Sequence, residues 1–399
     1  MLSYLTSGES HGPCLTAIVD GLPAGMPVKL EEINRHLQRR QKGHGRGGRQ
    51  RIENDQAGIV SGVRHGLTLG SPVTLVIENR DWVNWAPIMD PVQKPPSDLT
   101  PKQRRLLEET TRPRPGHADL AGGIKLGRHD LRNVLERASA RETAARVAAG
   151  SLVRQLLEHF GVRIASHVVR IGEVALGDDE HRPDVDQIAK LSEKSDVRCI
   201  DAAVSTRMKA AIKQAIKERD SLGGIAEVIV SGLPAGLGGF AQSRDRLDGR
   251  LAGALMSIQS VKGVEIGLGF AASSRRGSTA HDEIFYDPNG DPARKRFFRK
   301  TNHAGGLEGG ITNGEDVIAR VAVKPISTLM QPLQTVDVVT KHPATAMVER
   351  TDVCVVPAAA VICEAVAAMV FGEAFLHKFG SDNLVEIERN YRSFLECEY

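Results

Sequence analysis

The pentapeptide Gly-Leu-Pro-Ala-Gly occurs twice in the chain, and this repeat restricts the possible folds more than any other feature. One copy lies in AIVDGLPAGMPV at 17–28 and the other in VIVSGLPAGLGG at 228–239. Each copy follows a short apolar run that predicts a strand, and each precedes a segment that predicts a helix, at 30–41 and at 244–258. The shared strand–turn–helix context indicates an internal duplication.

The 399 residues are predicted to form a single domain, because no Ser/Gly linker or low-complexity tract divides them. We expect this domain to span 1–399, with pseudo-repeat halves of roughly 1–220 and 221–399. Two long stretches, 80–130 and 270–314, predict irregular loops, and loops of this length in a compact protein are usually functional. Further strands are predicted at Val73–Glu78, Arg163–Leu176, Val264–Gly267 and Val317–Val323, and further helices at Leu131–Phe160, Thr206–Asp220, Ala358–Lys378 and Asn383–Leu395.

Three of the helical segments, near 137–157, 245–257 and 358–371, carry Ala or Gly on several faces. Small residues let helices approach one another closely, so these helices suit an inner layer that is covered on both sides. Strands and helices do not alternate regularly, and no Gly-x-Gly-x-x-Gly motif stands between a predicted strand and a predicted helix. The sequence therefore predicts an α+β fold, a single-domain sandwich of β-sheets around a central layer of α-helices.

Three features indicate a soluble cytoplasmic protein with no membrane segment. The apolar run Val353–Phe371 contains Pro357 and Glu364, and a carboxylate at mid-membrane costs about 2.5–3.5 kcal/mol. We therefore expect a helix that begins near Pro357 and is buried in the protein. The N-terminal segment has neither a basic nor an apolar region typical of a signal peptide, and the five widely spaced cysteines include no CxxC, which is typical of reduced thiols.

The segment RRQKGHGRGGRQR, from Arg39 to Arg51, holds six cationic residues, four glycines and one histidine. The whole chain has 52 basic and 49 acidic residues, so the positive charge is local. The segment is a solvated basic loop, an RNA-binding segment, or a loop folded around a small anionic ligand. RNA-binding segments carry aromatic residues that stack on bases, and the closest aromatic residues, Trp82 and Trp85, lie about thirty residues downstream. We therefore predict no nucleic-acid partner.

Two histidines lie in stiff segments that glycine and proline flank. His11 stands in SGESHGP, immediately before the first predicted strand, and His117 stands in RPRPGHAD. An imidazole in a fixed direction suits general acid or base catalysis near neutral pH. The alternative is that one or both rings only bond to the loop backbone. The sequence has no HExxH motif and no Cys/His cluster at zinc-finger spacing, so no metal site is predicted.

Arginines accompany both histidines. Arg40, Arg46 and Arg49 lie in or next to the glycine-rich segment, and Arg112 and Arg114 precede His117. Guanidinium groups pair bidentately with carboxylate and phosphate, and the amides of glycine-rich loops form anion-binding concavities. The pattern favours a substrate with several negative charges, and the alternative is a flexible basic surface.

Three further polar segments could contribute to a site. LERASARETAARVAAG at 135–150 suits a phosphate or a polar ring edge, and VAVKPISTLMQP at 321–332 suits a turn that faces a phosphate. The last is VERTDVC at 348–354. In the last segment Asp352 is either a base or the ion-pair partner of Arg350.

Eight segments in order resemble the signature blocks of the chorismate synthase family. They extend from residue 8 to residue 354 and therefore cover nearly the whole chain. The segments are GESHGPCLTAIVDGLP, RRQKGHGRGGRQRIENDQ, TRPRPGHADLAGG, ERASARETAARVAAG, SIQSVKGVEIG, TNHAGGLEGGITNG, VKPISTL and ERTDVC.

The resemblance implies a carbon–oxygen lyase of the shikimate pathway, which leads to the aromatic amino acids. Its members convert 5-enolpyruvylshikimate 3-phosphate to chorismate, the last common step, by 1,4-anti elimination of phosphate and a C6 hydrogen. The reaction is redox-neutral but requires reduced FMN. Members are typically homotetramers in which helices lie between sheets.

The resemblance also assigns site residues. It implies that the substrate is bound by Arg40, Arg46, Arg49 and Arg114, with a nicotinamide nucleotide as the alternative ligand of the first two. His11 is implied to keep the reduced flavin protonated, His117 to protonate the departing phosphate, and Asp352 to help remove the C6 proton through flavin N5. The implied flavin site consists of Arg137, Ala138, Ser139, Gln259, Ser260, Gly309, Lys324, Pro325, Ile326, Ser327, Thr328 and Arg350. Thr351 departs from the family pattern, because many members have Ser or His there.

The source of reduced flavin distinguishes two kinds of family member, since some reduce their own flavin with NADPH. The sequence shows no nucleotide-binding fingerprint and no appended domain, so we expect a monofunctional enzyme. A separate flavin reductase would then supply reduced FMN, with NADPH as the ultimate reductant. The competing hypothesis is a flavin oxidoreductase with net hydride transfer, which would consume NAD(P)H stoichiometrically.

Overall fold

The computed structural model describes residues 1–46, 54–93, 95, 97–177, 183–348 and 352–399. Helices and strands are mixed along the chain. The helices are α1 (Leu30–Gln41), α2 (Trp82–Met89), α3 (Pro101–Leu107), α4 (Asp119–Leu126), α5 (Arg132–Ala138), α6 (Thr143–His159), α7 (Val185–Glu193), α8 (Ala202–Glu218), α9 (Leu247–Met256), α10 (Gly277–Ala280), α11 (Val356–Phe379) and α12 (Leu384–Glu396).

The strands form two larger antiparallel sheets and several two-stranded hairpins. The strands are β1 (Ser3–Ser7), β2 (Cys14–Asp20), β3 (Ala57–Ser61), β4 (Val63–Arg64), β5 (Leu67–Thr68), β6 (Val73–Glu78), β7 (Arg163–Ile171), β8 (Val174–Ala175), β9 (Gly224–Ser231), β10 (Val261–Ile266), β11 (Ile284–Tyr286), β12 (Phe297–Arg299), β13 (Leu307–Glu308), β14 (Ile311–Thr312), β15 (Val317–Val323), β16 (Gln334–Val336) and β17 (Pro343–Thr345). The first sheet has the order β1-β2-β6-β3, and the second has the order β10-β15-β9-β7-β8.

Alternation of side chains along the strands decides which face of each sheet meets the core. In β6, Val73, Leu75 and Ile77 are buried, while the residues between them are more exposed. Strand β15 alternates in the same way. Period-2 alternation is typical of an antiparallel sheet with one face on the core.

Helices α6 and α11 pack on each other, α6 also contacts β2 and β6, and α11 contacts β7 and β9. Their close approach depends on Gly150 of α6. A Cβ atom at that position would lie 2.2 Å from the carbonyl oxygen of Ala365 in α11, so a larger residue would separate the helices.

Helix α11 begins at Val356, with Pro357 in its first turn, which confirms the prediction of a helix near that proline. It is long and apolar enough to cross a membrane by composition, but 94% of its most apolar window is buried inside the protein. It is therefore a core helix.

One carboxylate, Glu364, lies in the middle of this apolar helix and is buried. Its oxygens accept hydrogen bonds from Arg39 Nη1 at 2.7 Å and Nη2 at 2.9 Å, from Arg154 Nη1 at 2.7 Å and from Ser166 Oγ at 2.5 Å. Burial raises the pKa of Glu364, but Arg39 and Arg154 outweigh burial and hold the pKa well below its usual range. We call Arg39, Arg154, Ser166, Arg198 and Glu364 the buried ion-pair cluster.

The prediction of a mixed helix-and-strand fold is confirmed, and β6, β15 and α1 have the predicted bounds. The single helix predicted at Leu131–Phe160 is wrong. Ser139 adopts an extended conformation with ψ 144°, which ends α5, and a 3₁₀ turn at Ala140–Glu142 precedes α6.

Two loop predictions are also corrected. The stretch 80–130 contains α2, α3 and α4, and the stretch 270–314 contains α10 and two hairpins. Strand β1 precedes the strand that was predicted to be the first, so His11 lies between β1 and β2. Strand β1 has only five residues, SYLTS, and these do not alternate between polar and apolar, so its sequence gives a weak strand signal.

Candidate active site

A cavity of about 390 Å³ lies where the C-terminal end of α1, the turn between α5 and α6, and the N-terminal part of α11 meet. This volume is typical of small-molecule sites. We call it the main cavity. Most of the predicted site residues line it: His11, Arg40, Arg46, Arg114, His117, Ala138, Ser139, Gln259, Ser260, Lys324, Ile326, Ser327, Thr328 and Asp352.

Three predicted site residues that the structure describes do not line the cavity. Arg137 donates to the carbonyl oxygens of Thr6 at 2.7 Å and Gly8 at 3.1 Å, so its guanidinium is bonded to the backbone at the end of β1. Gly309 lies in the turn between β13 and β14 with φ 59°, and Pro325 lies close to Gly223. Arg49 and Arg350, together with the divergent Thr351, lie outside the described residues.

A carboxylate from α5 holds His11. The Nδ1 atom of His11 lies 2.9 Å from both carboxylate oxygens of Glu136, and the His11 amide donates to the same group at 2.9 Å. Burial raises the pKa of Glu136, but the hydrogen bonds from His11 outweigh burial and lower the pKa below its ordinary value. Glu136 therefore stays ionised and fixes the imidazole.

Trp85 of α2 covers the other side of His11. The two rings are stacked, with 3.7 Å between their centroids and 24° between their planes. The indole Nε1 donates to Asp81 at 3.0 Å, which fixes the orientation of the tryptophan. The stack and the carboxylate together restrict the His11 ring to one orientation.

His117 is held in the same way by a carboxylate at the start of α4. Its Nδ1 lies 2.5 Å from Asp119 Oδ1, and Asp119 is completely buried. Asp119 also accepts from Arg114 Nε at 2.8 Å and from the Arg114 amide at 3.0 Å. Burial raises the pKa of Asp119, but the hydrogen bonds from His117 and Arg114 outweigh it and hold the pKa well below its usual range.

Both histidines therefore use Nδ1 for an ionised carboxylate. The carboxylate can only accept a hydrogen bond, so Nδ1 carries a proton and Nε2 is the atom that gains or loses the second proton. Both rings line the main cavity. The arrangement suits two general acids or bases whose tautomers are fixed in advance.

Arg40 and Arg141 share a buried carboxylate. Arg141 Nη1 lies 2.6 Å from both oxygens of Asp55, and Arg40 Nη1 lies 3.6 Å from Asp55 Oδ2. Arg40 also donates to Thr143 Oγ1 at 2.9 Å and to the Ala140 carbonyl at 3.0 Å. Two guanidinium groups are thus positioned at one wall of the cavity.

Arg46 lies in the loop after α1, beside the segment that precedes α11. Its Nε lies 3.2 Å from Asp352 Oδ2. The Gly45 carbonyl accepts from the Val353 amide at 2.8 Å, so the backbone ties the two segments together. In the described part of the chain, Arg46 is thus the ion-pair partner that the structure provides for Asp352.

The strand-end segment after β15 brings Lys324, Ser327 and Thr328 to the cavity. Lys324 Nζ donates to the Gly116 carbonyl, and Thr328 Oγ1 accepts from Arg114 Nη1 at 3.2 Å. Burial and the nearby Lys262 lower the pKa of Lys324. These contacts join this segment to the loop that carries His117.

Gln259 and Ser260 complete the wall at the end of α9. Gln259 Nε2 donates to Glu142 at 2.9 Å, whereas its buried Oε1 has no hydrogen-bond partner among the described residues. Ser260 adopts φ 72°, a left-handed conformation that is costly for a residue with a side chain and is common at functional sites. A ligand with a hydrogen-bond donor would satisfy the orphan oxygen.

Charges around the main cavity are unbalanced. Its lining includes the cations Arg40, Arg46, Arg114, Arg141 and Lys324. Among the lining residues that the structure describes, Asp352 is the one carboxylate. Fixed cations in excess favour a ligand with several negative charges.

Four residues that position groups of this site were not predicted from the sequence. Asp119 stands two positions from His117, and its place at a helix start was a local signal that could have revealed it. Glu136, Asp55 and Trp85 are far in sequence from their partners, so nothing in the sequence paired them. In the described residues, no group of three or more His, Cys, Asp or Glu is arranged to hold a metal ion.

The chain is similar to known proteins along nearly its whole length. A family model described as chorismate synthase matches residues 2–376. A chorismate synthase of Symbiobacterium thermophilum is 54% identical, over 99% of this chain and 99% of the relative. One of Geobacter metallireducens is 52% identical, again over 99% of both chains. A crystal structure of a chorismate synthase superposes with a TM-score of 0.78, at 39% identity, over 99% of this chain and 97% of that one.

Proposed function

Because the chain belongs to the chorismate synthase family, and is accordingly a lyase of the shikimate pathway, we propose that it converts 5-enolpyruvylshikimate 3-phosphate to chorismate. The reaction is the 1,4-anti elimination of phosphate and the C6 hydrogen, with reduced FMN as the required cofactor. The observation that carries this proposal is the convergence, in one cavity, of the cationic side chains with two histidines that carboxylates orient.

The substrate carries one phosphate and two carboxylates, and the cavity charges suit it. We propose that Arg40, Arg46 and Arg114 bind these groups, and that Arg141 joins them. Each guanidinium except that of Arg46 is already fixed by hydrogen bonds to carboxylates, hydroxyls or carbonyls, so little side-chain entropy is lost on binding. Arg49 completes the proposed set from outside the described residues.

The residues present fit FMN as a second ligand of the cavity. The orphan Oε1 of Gln259 offers a hydrogen-bond acceptor, and Lys324 offers a positive charge. Ser260, held at φ 72°, lies beside them in the cavity lining. Ser139, Ser327 and Thr328 would add hydroxyl groups for a phosphate or a ring edge. When bound in its reduced form, the flavin supplies transient electron density to the substrate without net redox change.

We assign the departure of phosphate to His117. With Nδ1–H bonded to Asp119, the imidazolium form carries its second proton on Nε2 and donates it to the phosphate oxygen as the C–O bond breaks. The Asp119 carboxylate stabilises the imidazolium, and Arg114 beside it stabilises the charge that develops on the phosphate.

We assign the two remaining roles in proton transfer to His11 and Asp352. Glu136 fixes His11 with a proton on Nδ1, which leaves Nε2 as the atom that would keep a bound reduced flavin protonated. Asp352 is the proposed acceptor of the C6 proton, and Arg46, whose Nε lies 3.2 Å from Asp352 Oδ2, orients the carboxylate.

The supply of reduced flavin and the assembly are also proposals. We propose that the enzyme is monofunctional, that a separate reductase uses NADPH to deliver reduced FMN, and that four copies form a homotetramer in the cytoplasm. Membership of the family supports these points, and the burial of α11, the long apolar helix of this chain, supports the cytoplasmic location.

We further propose that the two sheets enclose the helices as a sandwich and that the halves arose by duplication. The strand order β1-β2-β6-β3 corresponds to β7-β9-β15-β10, and α1 and α9 each follow the second strand. Helices α6 and α11 each follow the last strand of their half. This correspondence favours a boundary between α6 and β7, earlier in the chain than the predicted one near 220.

The function is tested by anaerobic mixing of the protein with 5-enolpyruvylshikimate 3-phosphate and dithionite-reduced FMN. We expect inorganic phosphate and chorismate to appear in equal amounts. Oxidised FMN without dithionite is the control and should give neither product. Phosphate release without chorismate, or no release, would contradict the proposal.

A companion assay tests the source of electrons. NADPH and FMN are supplied without a reductase under the same anaerobic conditions. We expect negligible turnover, and rapid chorismate formation would mean that the chain reduces its own flavin. Stoichiometric NADPH consumption per product would instead indicate a net oxidoreductase.

A further inference from the structure

A second cavity, of about 280 Å³, lies on the other side of the end of α1 from the main cavity. Arg39, Lys42 and His44 line it from α1 and the following loop, and Glu193, Asp196 and Arg198 line it from the end of α7 and the loop after it. The proposed reaction uses none of these residues. The second cavity therefore needs an explanation of its own.

Among the described residues that line the second cavity, three are cations, Arg39, Lys42 and Arg198, and two are carboxylates, Glu193 and Asp196. Glu193 is already bonded to two cations, Arg39 Nε at 2.6 Å and Arg198 Nη1 at 2.5 Å. Asp196 lies 3.5 Å from Lys209 Nζ. Both carboxylates are thus engaged by cations, and Lys42 adds a further positive charge at the cavity wall. Burial and the nearby Lys213 lower the pKa of His44, as expected in a positive field.

Two buried nitrogen atoms at this cavity have no hydrogen-bond partner among the described residues. They are Arg198 Nε and His44 Nε2. The Arg198 side chain is 7% exposed, so solvent does not easily satisfy it. Its other nitrogens donate to Glu193, to the Ser166 carbonyl at 3.1 Å and to Ser192 Oγ at 3.2 Å. A buried donor without a partner indicates a missing acceptor.

The wall of the second cavity continues into the main cavity. The His44 amide donates to the Asp196 carbonyl at 2.8 Å, and the next residue, Gly45, accepts from Val353 at 2.8 Å. Arg46 follows and pairs with Asp352. A ligand against His44 would therefore restrict the segment that carries Arg46.

We propose that the second cavity binds a small tetrahedral oxyanion, either free phosphate or the phosphate group of a small monoester. The oxyanion accepts hydrogen bonds from Arg198 Nε and His44 Nε2 and pairs with Lys42. It needs no flavin and no turnover, so the proposal stands or falls separately from the proposed function.

Equilibrium dialysis with radiolabelled inorganic phosphate counts the sites on the full chain. Arg114→Gln weakens phosphate binding in the main cavity, and we expect this variant to keep one saturable site per chain. Adding Lys42→Ala or His44→Gln should weaken that site about tenfold, as for loss of one charge-assisted hydrogen bond. Lys190→Ala, which removes an exposed charge from α7 outside the cavity lining, is the matched control and should change the affinity less than about twofold.

Competition separates the two sources of phosphate. If unlabelled glycerol 3-phosphate displaces the label at lower concentration than phosphate does, the ligand is a monoester, and the reverse order indicates free phosphate. Binding that neither Lys42→Ala nor His44→Gln weakens would overturn the proposal. So would the absence of a saturable site in the Arg114→Gln protein.

Discussion

Neighbouring arginines of α1 serve two different regions, the buried ion-pair cluster and the main cavity. Arg39 binds Glu364 with two nitrogens, and Arg154 and Ser166 complete the hydrogen bonds of that carboxylate. Arg40, one residue later, lines a cavity with a surplus of cations. Arg39 is therefore structural, because carboxylates of the protein surround it, whereas Arg40 shares the carboxylate of Asp55 with Arg141 and also lines a cavity that suits an anionic ligand.

The buried ion-pair cluster and the main cavity differ in how carboxylates of the protein compensate their cations. A buried carboxylate with a full set of cationic partners contributes to a unique packing, and removal of one partner leaves an uncompensated charge. At the main cavity, Asp352 is part of the lining, whereas Asp119 and Glu136 lie outside it and orient Arg114, His117 and His11. We therefore expect variants of the cluster to lose stability and variants of the cavity to lose activity.

The largest expected effect is that of Glu364→Gln. Arg39 and Arg154 would lose the charge that compensates them, which should lower the free energy of unfolding by about 3–5 kcal/mol. Urea unfolding followed by circular dichroism measures this loss. The turnover number per folded molecule should remain within about threefold, and a stable but inactive variant would break the comparison.

Acid should remove the same stabilisation from the unmodified protein. The pKa of Glu364 is lowered from 4.5 by folding, so its contribution is complete above about pH 4.5 and is lost as the pH falls through the folded pKa. Urea unfolding between pH 7 and pH 3 should show a steeper loss of stability for the unmodified protein than for Glu364→Gln. Parallel curves would contradict an ionised Glu364 in the fold.

His117→Ala tests the other region. Loss of a positioned acid should reduce the turnover number at least about a hundredfold, with flavin binding unchanged. The melting temperature should change little, since His117 is part of the cavity wall. His159→Ala, which removes a surface histidine paired with Glu388, is the matched control, and near-normal turnover of His117→Ala would place the acid elsewhere.

The adjacent pair gives the sharpest comparison. Arg40→Gln should raise the KM for 5-enolpyruvylshikimate 3-phosphate about tenfold, the effect of one charge-assisted contact. Arg39→Gln should leave KM unchanged and lower the midpoint of urea unfolding. If the two variants exchange these effects, our division of the two regions is wrong.

Trp85→Leu should have the smallest effect. The indole stacks on His11 but is not bonded to it, and stacking is worth about 0.5–1.5 kcal/mol. We expect a decrease of the turnover number of about threefold. Val83→Ala, on an exposed residue of the same helix, is the control, and steady-state assays with reduced FMN measure both.

The sequence predicted elements whose pattern is local. β6 and β15 alternate cleanly, and α11 has a proline at its start, so their bounds or starts were predictable. The break at Ser139 was not, because alanine-rich sequence continues on both sides of it and the extended conformation depends on the fold.

The cavity residues that lie within the sequence motifs were predictable from the sequence. The motifs included Arg114, His117 and Asp352, and the structure brings these residues to one cavity. The orienting partners were harder to find, since His11 and Glu136 are 125 positions apart and meet only through the fold. Arg137 lies within a matching motif, but in this structure its guanidinium is bonded to the backbone at the end of β1.

Gly150 has a consequence far from its own contacts. Helix α6 starts at Thr143 and α11 carries Ala359, and both of these residues face the main cavity. A methyl group at position 150 would push α6 and α11 apart and so widen the main cavity, in which we propose that substrate and flavin bind. Natural selection can therefore act on Gly150 through the width of the main cavity, although Gly150 is not part of its lining. Substitution of Gly150 is also a starting point for engineering the cavity to admit a bulkier substrate.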